Sequence, residues 1–100
     1  GINHNGFLRF DRTNFDAIEA IKFRVASAGT GGVIEVRRGS PEGQLLGSVT
    51  VEVNGNWEQF YEKEITIERS EGRDTLFLVF KNAERPGGLM NIDSLTFRLA

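Results

Sequence analysis

The chain has 100 residues, 39% hydrophobic and 26% charged, with 12 glycines, 2 prolines and no cysteine. This is one globular domain with a single core, and it excludes disulfides, thiolate zinc sites and cysteine nucleophiles. A formal net charge of −2 argues against a nucleic-acid partner, because phosphate backbones attract basic domains.

No apolar run nears the ~20 residues that cross a bilayer, so no membrane partner is expected. No charged segment leads into an apolar one at the start, so a signal peptide is not expected. Opening at Gly1, the sequence reads as a mature product or a piece of something longer. Lack of cysteine leaves the compartment open.

In chain order, Asp16 to Ala20 could open a short helix, but the β-branched run after it argues for a strand. Ile21, Phe23 and Val25 alternate with Lys22 and Arg24, and Ile34 and Val36 with Glu35 and Arg37. Val49, Val51 and Val53 alternate with Thr50 and Glu52. Between Trp57 and Glu68, Glu58, Glu62, Glu64 and Glu68 form a wet row while Tyr61, Ile65 and Ile67 face inward. Leu76 to Phe80 is continuously apolar and reads as a central strand covered on both sides. Leu95, Phe97 and Leu99 close the pattern.

Glycine-rich segments separate these runs at Gly29–Gly32, Gly39–Gly43, Asn54–Asn56, Glu71–Gly72 and Arg85–Gly88. Each supplies the positive or fixed φ of a hairpin turn. Seven or so short strands at this spacing predict an all-β, antiparallel β-sandwich in a single domain spanning 1–100.

Catalytic patterns are weak. His4 is the sole histidine, and no Gly-x-Ser-x-Gly elbow accompanies it. The glutamate row is a solubility feature rather than a pair of facing acids. Gly29–Gly32 precedes a strand and lacks the lysine and helix of a phosphate cradle. Asp11, Asp16 and Asp93 are isolated in sequence, so any metal site would be a hard-cation site assembled by the fold. The chain is therefore not expected to be an enzyme.

Trp57, the sole tryptophan, directly follows the Asn54–Asn56 turn. Such an indole either caps the core or offers its ring to a ligand. Pyranose C–H faces lie flat on indoles while their hydroxyls seek amides, and the residues alone leave both options open.

The runs Ile21–Ser27 and Gly31–Arg37, the turn Gly39–Gly47, Asn54-Gly-Asn-Trp57, Leu76–Phe80 and Leu89–Asp93 together resemble family 6 carbohydrate-binding modules, in the expected order. The resemblance implies a jelly roll of seven to nine strands of the galactose-binding-like type. It implies polysaccharide binding in an end-loop cleft, in service of an appended secreted glycoside-acting domain. By motif Trp57 is the stacking face, Asn91 the polar contact and Asn56 its neighbour.

The family's second aromatic falls at Ile2, which covers a sugar face weakly, so His4 or Phe7 is the expected substitute. A second family cleft on a sheet face would use a tryptophan position that falls at Leu8, which discounts it. The aromatic after the family's Asn-x-Asp falls at Ser94. The family's first strand, which carries ligands for a structural calcium, is missing, and its loss would leave an unpaired sheet edge. Asp93 alone matches the calcium site, so no cofactor is expected here, and calcium only in an intact parent. The alternative is a structural or interaction sandwich with a degenerate cleft, favoured by Ile2, Leu8 and Ser94.

Overall fold

The structure is a computed structural model and describes residues 3–27, 31–53, 55, 59–82 and 89–100. Seven strands run in order: β1 (Phe7–Asn14), β2 (Ile18–Ala26), β3 (Gly32–Arg38), β4 (Gln44–Val51), β5 (Tyr61–Thr66), β6 (Arg73–Lys81) and β7 (Asn91–Leu99). They build two sheets, β1-β6-β3-β4 and β5-β2-β7, with every pairing antiparallel. The all-β jelly-roll sandwich is the fold.

Side-chain alternation puts the core between the sheets. Ile21, Phe23 and Val25 of β2 meet Ile34 and Val36 of β3 and Leu76, Leu78 and Phe80 of β6. Each such side chain contributes roughly 1.5–3 kcal/mol on full burial. β6 lies between β1 and β3, which explains its continuous apolar run. Its even residues enter the core, and Phe77 and Val79 are covered on the outer face.

The Gly39–Gly43 segment is the hairpin expected of it, joining paired strands β3 and β4. The other four segments are not hairpins. They carry the chain from one sheet to the other, since β2 to β3, β4 to β5, β5 to β6 and β6 to β7 all change sheets. Turn residues report a reversal of direction but not which sheet the next strand joins. Val53 also departs from expectation: β4 ends at Val51, and Val53 is 51% exposed.

Gly47 marks where β4 crosses β5 closely. A Cβ there would meet the Thr66 carbonyl oxygen at 2.5 Å, so only glycine lets the sandwich close on this side.

At the end holding the Gly39–Gly43 turn, Arg38 joins several segments. Its guanidinium sits 4.7 Å over the Phe15 ring, donates from Nε to Asp74 Oδ2 at 3.1 Å, and donates to Ser70 Oγ and the Glu71 carbonyl. Asp74 also accepts from the Thr75 N–H at 2.7 Å. The Thr75 bond first, and Arg38 second, hold the Asp74 carboxyl below its ordinary value.

Arg38→Met should lower unfolding free energy by about 1–3 kcal/mol, read by urea denaturation. A carboxyl with a depressed folded pKa stabilises above its unfolded value and ceases to do so as pH falls through the folded one. The stability of the parent should therefore drop below about pH 4, and the drop should be shallower in Arg38→Met.

Candidate functional site

Antiparallel register gathers one set of strand ends opposite Arg38. Gly32 pairs with Val51 and Val33 with Lys81 in the larger sheet, while Val25 pairs with Tyr61 and Ala26 with Asn91 in the smaller. The crossings from β2 to β3, β4 to β5 and β6 to β7 thus all meet at this end.

Ser27 ties them together. It is fully buried; its Oγ donates to the Leu89 carbonyl and accepts from the Gly31 N–H at 3.0 Å. Its own carbonyl accepts from the Gly55 N–H at 3.0 Å, and Gly31 N–H also reaches Leu89 O at 2.9 Å. Gly31 has φ of +65°, and a Cβ there would lie 2.5 Å from the Val51 carbonyl oxygen. Glycine is required for the chain to pass.

Asn91 opens β7 two residues beyond Leu89 and is half-buried. His4 reaches the same end by another route. Its Nδ1 accepts the Asn82 N–H at 2.9 Å, which leaves the proton of a neutral ring on Nε2. Neighbouring Asn5 donates its N–H to the Phe80 carbonyl at 2.7 Å. Asn91 and His4 therefore belong to one end of the sandwich. Trp57, Asn56 and Ile2 lie outside the described residues.

The flanks of the Trp57 segment are described and are richer than the sequence suggested. A depression of about 450 Å³ lies among Glu52, Val53, Gln59, Phe60 and Tyr61. The Tyr61 hydroxyl donates to the Glu52 carbonyl at 2.6 Å. Burial first, and the Glu52 charge second, push the Tyr61 phenol up. Lys63 Nζ, 3.0 Å from Glu52 Oε2, holds that carboxyl down. Phe60 lies 5.9 Å beneath the Arg24 guanidinium. Tyr61 packs against the core in phase with Ile65 and Ile67, as expected, while its hydroxyl reaches the rim.

Asp93 stands 3.7 Å from Arg24 Nε, half exposed. A guanidinium there neutralises the carboxylate that calcium would need. Among the described residues no cluster of three or more His, Asp or Glu could hold a metal.

Leu8 pairs with core residue Leu78, so it belongs to the inward-facing set, whereas Phe7 pairs with Val79 on the outer face. Phe7 is 50% exposed and packs edge-on against Phe77, with centroids 5.3 Å apart. An aromatic therefore does stand on the outer face of the four-stranded sheet. Ser94, exposed opposite Arg24, adds none to the other sheet.

Acid catalysis finds no support. A general acid needs a carboxyl held up by an apolar pocket. Among the described residues the carboxyls with displaced pKa are Asp11, Asp74 and Glu52, and all are lowered.

The family model described as "Carbohydrate binding module (family 6)" matches residues 1–98. An arabinoxylan arabinofuranohydrolase from Paenibacillus polymyxa is 33% identical over 96 residues, covering 94% of this chain and 15% of that protein. The chain thus spans a small part of that curated relative. A family 6 carbohydrate-binding module from Clostridium cellulolyticum, solved with xylose, superposes with a TM-score of 0.85 at 30% identity, covering 97% of this chain and 74% of that one. A β-1,3-glucan-binding module from Bacillus halodurans gives 0.84 at 37%, covering 97% and 72%. A family 43 arabinoxylan arabinofuranohydrolase from Bacillus subtilis, solved with cellotetraose, gives 0.86 at 30%, covering 99% and 20%.

Ser27→Ala should cost about 1–2 kcal/mol of unfolding free energy, because the Leu89 carbonyl loses a buried donor. Chemical denaturation measures it.

Proposed function

The chain belongs to carbohydrate-binding module family 6, and on that premise we propose that it binds a β-linked polysaccharide at the end gathered by Ser27. It is a non-catalytic carbohydrate-binding domain. Its relatives include modules within larger glycoside-acting enzymes, and we assign it the same work: tethering a secreted enzyme, of which it is one domain, to its glycan.

The observation that carries the site is convergence. Asn91, His4, Gly55 of the Trp57 segment and the Tyr61 depression all sit at one end of the sandwich. In this reading the Trp57 indole takes the C–H face of a pyranose, with Ile2 across from it. The amides of Asn91 and Asn56 and the His4 Nε2–H meet its hydroxyls. Such a site exchanges water contacts for sugar contacts with little net gain. Affinity for an oligosaccharide should lie at roughly 10 μM to millimolar.

Affinity electrophoresis against xylan, β-1,3-glucan and cellulose derivatives tests this. Trp57→Ala should abolish retention while the fold persists by circular dichroism, and Asn91→Ala should weaken binding by about 1–3 kcal/mol. Retention unchanged in both variants would return the domain to the degenerate, structural alternative.

The exposed Phe7 on Phe77 favours a second reading, in which a glycan also lies on the outer face of the four-stranded sheet. Phe7→Ala would then weaken retention while Trp57→Ala leaves a remainder.

A further inference from the structure

The outer face of the four-stranded sheet carries charge opposite in sign to the whole chain. Its strand positions present Arg9, Arg37, Arg73 and Lys81, and the β1 bulge adds Arg12. Asp11 and Glu35 are the carboxylates among them. With Asp74, which lines the same corner, five cations therefore face three acids, on a chain whose net charge is −2.

The acids are already engaged. Arg9 Nε donates to Asp11 Oδ1 at 2.9 Å, and Thr75 Oγ1 donates to the same oxygen at 3.4 Å. Arg37 is paired to Glu35 at 3.1 Å. Arg12 and Arg73 make no close ion pair among the described residues, although the Arg12 charge also helps to hold the Asp11 carboxyl down. Arg73 Nη1 donates to the Arg12 carbonyl at 3.3 Å. Together with Asp11, Asp74 and Thr75 they line an open basin of about 330 Å³. Asp74, the other acid there, is held by Arg38 and the Thr75 N–H.

The backbone places Arg12 in this basin at a cost. Register slips between Phe10 and Thr13, and Arg12 takes φ of +54°, a region that disfavours any side chain and suits glycine. Arginine at this φ carries strain of about 1 kcal/mol or more.

We infer that the corner formed by Arg12 and Arg73 is an anion site that takes an acidic substituent of a glycan, a carboxylate or a sulfate ester. Two planar guanidinium groups suit either oxyanion, and the Thr75 hydroxyl stands beside them. Arg73 and Phe77 share the outer face of β6 four residues apart, about 13 Å along the strand. Phe7 stands opposite Val79, six residues from Arg73 and about 20 Å along the strand, so one sugar on Phe7 and an acidic group about four residues further would fit that span. The inference rests on the reading of this chain as a glycan binder and adds the class of glycan.

The test compares the wild-type domain with Arg12→Gly and Arg73→Gln. Arg12→Gly removes the guanidinium and relieves the strained φ together, so its melting temperature should stay level or rise. Lost binding then cannot be laid to misfolding. Probes in affinity electrophoresis are polygalacturonate for carboxylates, a sulfated galactan for sulfate esters, and oligo-dT for phosphodiesters. Either acidic glycan should be retained by the wild type. That retention should fall about tenfold in each variant and fade as salt rises from about 0.05 to 0.5 M.

Three outcomes overturn the inference: acidic glycans not retained, variants that bind them as well as wild type, or stronger retention on oligo-dT, which would make the face a nucleic-acid surface. Retention on neutral xylan or β-1,3-glucan reads the Ser27 end separately, and both variants should preserve it. Its loss from the wild type, with acidic retention intact, would fail the end-loop reading and not this one.

Discussion

A buried hydroxyl holds the functional end together. Three segments that change sheets must arrive at one place with their backbone groups satisfied, away from the regular ladders that would otherwise satisfy them. Ser27 does this by serving Leu89, Gly31 and Gly55 at once. Burial makes the arrangement strict, because any of those groups left unpaired in the interior is costly. The Asn91 strand start and Gly55 are thereby tied to each other through the backbone.

The opposite end is organised differently. Arg38 combines stacking on Phe15 with hydrogen bonds to β6 and to the crossing before it. One end is tied by a small neutral group under the surface, the other by a charged fork nearer solvent. The two outer faces also differ. The three-stranded sheet interleaves Lys22, Arg24 and Arg98 with Glu19, Glu62, Glu64 and Asp93, and Arg98 bridges Glu19 to Glu64. The four-stranded sheet combines an exposed aromatic with a cationic excess.

Much of the fold was legible in the residues. Alternation located β2, β3, β5 and the C-terminal half of β7, and the unbroken Leu76–Phe80 run identified the strand with neighbours on both sides. β1 did not show, because it is an edge strand whose bulge at Arg12 breaks period 2 and whose outer residues include Phe7 and Arg9. The sheet changes did not show either, since a glycine turn looks the same whether the next strand pairs with the last or crosses the core. At the candidate site the resemblance supplied Asn91 and His4, and the structure sets both at one end. Which face of β1 Phe7 takes was not legible, because no alternation marked that strand. In a strand, a single step exchanges inside for outside, and it separates Leu8 from Phe7.

The most direct measurement is amide chemical-shift mapping of the nitrogen-15-labelled domain during titration with a neutral oligosaccharide that it retains. The largest shifts should fall on Ser27, Gly31, Gly55, Leu89 and Asn91, the residues of the tied end. Saturable binding that leaves those amides unmoved would mean that the Ser27 knot holds up a scaffold and not a sugar site.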